Sequence, residues 1–139
     1  GIDRALIRDF NGRRVVELEG AARQFAVFDG LSEGAQRAML GAIVEEAEAD
    51  SDQRQRPIRL YLQGDEAGLA ALTREGLLAD DEIREALLER RNAAWMPRII
   101  RLLESDSYPL IAVGAAHMVG KDGLVALIEA QGYTVRRVR

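Results

Sequence analysis

The residue with the most chemistry to offer is His117, the one histidine in a chain of 139 residues. It closes the motif Gly114-Ala115-Ala116-His117. Imidazole is a base near neutral pH and a common ligand for divalent metals. Glycine reaches backbone torsions that other residues resist, so the motif reads as a sharp turn off the apolar run Leu110-Ile111-Ala112-Val113. The same spacing also suits a histidine hydrogen-bonded within a loop and serving the fold alone.

Arg91 and Asn92 form the second feature. On a helical wheel counted from Ile83, both fall in the sector of Leu87, Leu88, Trp95 and Ile99, whereas Arg90 falls outside it. A guanidinium turned toward a core needs a partner, because an unpaired buried charge is costly. An ordinary structural ion pair satisfies that need as well as a functional site does. The third feature is Glu17-Leu18-Glu19. In a strand, alternation puts both carboxylates on one face, and if this strand and the one before His117 are parallel neighbours, Glu19 reaches the edge that holds His117. There it would bind a metal or pair with Arg91, unless it is an exposed loop acid.

Other chemistries are excluded. The chain has no cysteine, so disulfides, thiolate metal sites and cysteine nucleophiles are absent. It contains no phosphate loop, dinucleotide glycine fingerprint, nucleophile elbow or zincin helix. A net charge of −4 argues against nucleic acid as a partner. No apolar run approaches the ~20 residues of a membrane helix. The acidic stretch from Glu45 to Asp52 reads as a solvated helix end and loop. The chain opens on Gly1 without a signal-peptide pattern, so any targeting sequence is expected upstream.

The elements that must position these residues follow from periodicity. A short helix is predicted over residues 2–10 and a β-branched strand over 14–18. Phe25, Phe28 and Leu31 carry a helical spacing. Ser32 caps a helix with the stripe Met39, Leu40, Ile43, Val44 and Ala47. Pro57 permits a new helix start running to Gly64, and Asp65 caps another helix. A long helical stretch runs from Asp80 or Asp81 to about Leu103, with a kink or break expected near residues 93–95 because of Pro97. Residues 108–113 read as a strand buried on both faces. A helix following Asp122-Gly123 and a strand over 133–138 complete a βαβ ending. The expected class is a single α/β domain over 1–139, helix-rich, with a small, mostly parallel sheet on which the helices pack.

Taken in order, Val15-Val16-Glu17-Leu18-Glu19, Phe28-Asp29-Gly30-Leu31, Gly64-Asp65, Arg91-Asn92 with Trp95 and Ile99, and Ala112-Val113-Gly114-Ala115-Ala116-His117-Met118-Val119-Gly120 resemble the C-terminal half of TraB/PrgY/GumN proteins. Asp122-Gly123-Leu124 and Gln131-Gly132-Tyr133-Thr134-Val135 extend the likeness over nearly the whole chain. The resemblance implies half of an erythromycin-esterase/ChaN-like fold, related to the Tiki metalloproteases. It implies a catalytic set of Glu19, Arg91, Asn92 and His117, with Glu19 and His117 as ligands to a divalent ion, manganese or cobalt. It further implies an N-terminal half as partner, carrying a first Gly-x-x-His that has no counterpart here, and a periplasmic or cell-envelope setting. An apolar face left by a lone half would promote a homo-oligomer. The expected function is therefore part of a metal-dependent, protease-like hydrolase, the fragment being incomplete for catalysis. The competing reading is a non-catalytic peptide- or polysaccharide-binding or structural protein.

Overall fold

A computed structural model describes residues 2–138, with side chains from residue 4. Helices α1 (Ile2–Asp9), α2 (Ala21–Asp29), α3 (Glu33–Glu48), α4 (Ser51–Gln63) and α5 (Glu66–Leu72) lead to a 3-10 turn, Gly76–Ala79. The central stretch consists of α6 (Asp81–Arg84), a π turn (Glu85–Glu89) and α7 (Arg90–Leu103). A 3-10 turn at Ala115–His117 and helix α8 (Leu124–Ala130) follow.

The expected sheet is not there. Among the described residues no strand forms, and no backbone hydrogen bond joins segments 14–18, 109–113 and 133–138 to one another. The α/β class, the parallel sheet and the βαβ ending are therefore overturned, and with them the likeness to half of an erythromycin-esterase/ChaN-like fold. The reason is that β-branched composition favours extended backbone, whereas a ladder needs a neighbouring strand in register. Each run instead lays one face on the helices. Ile111, Val113 and Leu18 pack against Trp95, Ile99 and Leu124, while Leu110, Ala112 and Val15 face outward. The 108–113 run is thus buried on one face only. Tyr108, at φ +45°, belongs to the turn before it.

Helix starts follow their caps. The Ser32 hydroxyl accepts from Ala35 N–H at 3.2 Å, and the Asp50, Asp65 and Asp80 carboxylates do the same for α4, α5 and α6. Ser32 also donates its own N–H and hydroxyl to Glu82 at 2.6 and 2.7 Å, tying α3 to α6. The Asp50 cap starts α4 six residues before the start expected at Pro57, which lies inside the helix. Pro97 likewise sits within an unbroken α7, and the irregularity falls earlier, at Glu85–Glu89.

That π turn organises the molecule. One extra residue per turn rotates everything beyond it relative to a regular α-helix. Ile83, before the π turn, and Ala86, near its start, pack with Leu31 and Ala35. Downstream, the buried positions are Asn92, Trp95 and Ile99, and Trp95 and Ile99 pack with Leu124. A single helical stretch thereby serves two separate cores. The accessible surface, 10213 Å², exceeds by about 3,000 Å² the value expected of a compact 15.3 kDa monomer. Leu40, Ile43, Val44, Ile58, Tyr61 and Leu62 on α3 and α4 belong to that exposed surface. No described helix is long and apolar enough to cross a membrane.

Candidate functional site

The site is built where α7 meets the turn at Ala115–His117 and the start of α8. Helix α7 supplies Arg91, Asn92 and Trp95. Asn92 is 1% exposed and makes three contacts. Its Nδ2 donates to the carbonyls of Asp122 at 2.8 Å and His117 at 3.3 Å. Its Oδ1 lies 2.7 Å from His117 Nδ1. Because the amide N–H groups serve two carbonyls, Oδ1 acts as acceptor and Nδ1 carries the imidazole proton. The Nε2 lone pair is left without a hydrogen-bond partner among the described residues, and it is not sealed from solvent.

Local backbone explains this placement. His117 N–H donates to Gly114 O at 2.9 Å, closing the 3-10 turn. Gly114 itself sits at φ −61°, ψ 145°, so the torsional freedom expected of it is not used. The glycine that matters is Gly123. A Cβ there would lie 2.5 Å from Val119 O and 2.7 Å from the Met118 carbonyl carbon. That close approach folds the 118–123 loop so that the Asp122 carbonyl meets Asn92.

Trp95 links the remaining groups. Its ring centroid is 4.6 Å from that of His117, with the planes at 45°. Its Nε1 donates to Glu19 Oε2 at 3.2 Å. The Arg91 guanidinium carbon lies 5.0 Å from the Trp95 ring centroid, a cation–π distance. Arg91 donates Nε to Glu19 Oε2 at 3.3 Å, Nη1 to Leu87 O at 3.1 Å and Nη2 to Glu19 Oε1. The pair is largely withdrawn from water, the two side chains being 18% and 15% exposed. His117, 8% exposed, is held neutral: burial first, then the Arg91 charge, lowers its pKa from 6.5 to about 4, with Glu19 opposing.

The four expected site residues are thus gathered around Trp95. Both Glu19 oxygens are engaged by Arg91 and Trp95, so this carboxylate is a counter-ion rather than a free ligand. Among the described residues no three of His, Asp and Glu lie together as a metal site would need. Glu17 is exposed, because a bend at residues 18–19 breaks the strand alternation that placed it beside Glu19. Three contributors escaped the sequence reading of the site. Trp95 was detectable, lying four residues after Arg91 on the same helix face. The Asp122 carbonyl and the close approach at Gly123 carry no side-chain signal.

The sequence profile of the TraB/PrgY/gumN family matches residues 1–137. The chain belongs to the TraB/PrgY/gumN family. No curated protein and no solved structure matches it. In this family member the matched span takes in the whole cluster, from Glu19 to Gly123, together with both cores.

Proposed function

We propose that this chain supplies His117 Nε2 to the hydrolytic site of a metal-dependent, protease-like hydrolase, with further donors from outside the described residues. One observation carries the reading: a neutral imidazole whose Nδ1–H is spent on Asn92, leaving a bare Nε2 lone pair. Metal-binding histidines are oriented in this way by a partner on the other ring nitrogen.

The residues fit a metal only in part. His117 is one suitable donor, whereas catalytic sites usually use three protein ligands, and Glu19 does not fit as a second. A divalent ion, manganese or cobalt by resemblance, would make its bound water more acidic and polarise a carbonyl. The chain's own residues prepare His117 for that use. Asn92 fixes the tautomer and the ring plane. Trp95 covers one side of the imidazole. Burial, helped by the Arg91 charge and opposed by Glu19, keeps the ring unprotonated at neutral pH. Because its charge is matched by Glu19, Arg91 acts as a positioning residue.

A second reading has an observation of its own: His117 is buried with a fixed partner, as a structural or non-catalytic binding protein would also have it. Calorimetric titration of manganese and cobalt into the full-length protein separates the two. Under the hydrolytic reading His117→Ala abolishes micromolar metal binding and metal-dependent hydrolysis, and Asn92→Ala weakens binding about 10- to 100-fold. Unchanged affinity in His117→Ala, or no binding by the wild type, moves the assignment to the second reading.

A further inference from the structure

A cavity of about 400 Å³ opens on α7 beside the Glu19–Arg91–Trp95 cluster. Its apolar lining comes from Ala26, Val27, Leu31, Ala86, Ala94 and Trp95. Three of these are alanines, and their small side chains leave the space open. The volume lies within the range of small-molecule sites.

Five charged residues also line it: Glu19, Arg23, Glu82, Arg90 and Arg91. Four are already committed. Arg91 and Glu19 neutralise each other. Glu82 accepts from the Ser32 N–H and hydroxyl, which hold its carboxylate below the usual range. Arg90 donates to Glu85 at 3.0 Å. Arg23, on the first turn of α2, is exposed and has no ion-pair or hydrogen-bond partner for its side chain among the described residues. One uncommitted guanidinium at the mouth of an apolar cavity matches a monoanion. A carboxylate suits it, because guanidinium and carboxylate pair in bidentate geometry. With three guanidiniums set against two carboxylates, the lining carries a net single positive charge, which matches a monoanion better than a dianion such as phosphate.

We infer that this cavity is a subsite for an apolar group ending in a carboxylate, with the apolar body among Ala26, Val27, Ala86 and Ala94 and the carboxylate on Arg23. A peptide C terminus with an aliphatic side chain and a short fatty acid share this chemistry. The Trp95 indole forms a wall of the cavity and also touches the His117 ring. The subsite therefore gives the hydrolytic reading a substrate class, and it rests on that reading only for its catalytic meaning. Occupancy depends on Arg23 and the apolar lining.

The test is calorimetric binding to the full-length protein with a chelator present, so that metal plays no part. The probes are N-acetyl-Ala-Leu, its C-terminal amide and hexanoate. The expected result is that the acid binds about tenfold tighter than the amide. Arg23→Gln removes that preference. Ala94→Leu, which fills the cavity from an exposed position on α7, weakens the acid by a similar factor. Because these affinities are read with chelator present, they do not depend on metal, so failure here and failure of the hydrolytic reading are told apart. Hexanoate bound as tightly as the peptide acid identifies a fatty carboxylate, and weaker hexanoate identifies a peptide end. Equal binding of acid and amide, wild-type affinity in Arg23→Gln, or no binding of either acid at millimolar concentration overturns the proposal.

Discussion

Acidification should destabilise the folded chain through the single titration of His117, and the size of the effect follows from the structure. The unfolded imidazole has its ordinary pKa of 6.5, whereas in the folded chain burial and Arg91 bring it down to about 4. Between those values the unfolded state takes up a proton that the folded state refuses. The unfolded state is then the greater proton binder, so stability falls as pH falls through this window. Above 6.5 both states are neutral at this ring, and below about 4 both are charged, so the effect is confined to the interval. At 1.36 kcal/mol per pH unit the full loss is about 3 kcal/mol, a large fraction of the 5–15 kcal/mol by which typical domains are stable.

The assay is urea unfolding of the wild type and of His117→Gln, with chelator present, at a series of pH values from about 7.5 to 4. Carboxylates elsewhere contribute to both chains, and the difference between the two curves cancels them. That difference should change by about 3 kcal/mol in favour of the non-titrating variant as pH drops. Nuclear magnetic resonance supplies a direct check, since His117 is the one histidine of this chain. Its ring should stay in the Nδ1–H form down to about pH 4.5. Parallel unfolding curves, or a ring that titrates near 6.5, would refute the argument that burial and Arg91 dominate.

Glu19→Gln strips the counter-ion from a largely buried Arg91 and should destabilise the chain by about 3 kcal/mol, read from the urea midpoint. Because Glu19 raises the His117 pKa, the same variant should shift the ring's titration further down. Gly123→Ala forces a Cβ against the backbone at Met118 and Val119. Its expected cost is about 2 kcal/mol or more, with loss of the protected Nδ1–H resonance of His117 as the 118–123 loop shifts away from Asn92.

Much of the site was legible in the sequence, and the sheet was not there to be found. The reasons are local versus non-local. Arg91 and Asn92 could be placed inward because a helical wheel depends only on residues within two turns. Ser32, Asp65 and Asp80 could be read as caps for the same reason. A strand is different: Val15-Val16 and Leu110-Ile111-Ala112-Val113 favour extended backbone by their own side chains, but pairing depends on distant partners that their composition cannot specify. Here the helices took up the inward faces instead. The π turn at Glu85–Glu89 is also silent in composition, and it is what sets Asn92, Trp95 and Ile99 in the second core. A regular helix from Ile83 places Arg91 inward as well as Asn92. In the folded chain Asn92 is fully buried, and Arg91 lies at the margin of the core, where Glu19 can meet it.

Whether His117 serves the fold or a reaction can be argued from how its hydrogen bonds are distributed. A polar pair retained for structure satisfies every group it buries. Asn92 does so, bonding two backbone carbonyls and the ring, and its removal should cost about 3 kcal/mol because each of those groups loses its partner in a dry setting. His117 bonds through one ring nitrogen only, and the other is neutral, open to solvent and free for a ligand. Replacing it by leucine orphans the buried Asn92 Oδ1, at about 2 kcal/mol, and gains about 1 kcal/mol of apolar burial beside Trp95. The folded chain should therefore lose about 1 kcal/mol at pH 7 in His117→Leu, against about 3 kcal/mol in Asn92→Ala. A structural histidine predicts no such difference, both substitutions being equally damaging. If unfolding midpoints show His117→Leu as costly as Asn92→Ala, the free nitrogen is incidental and the chemistry assigned to it falls.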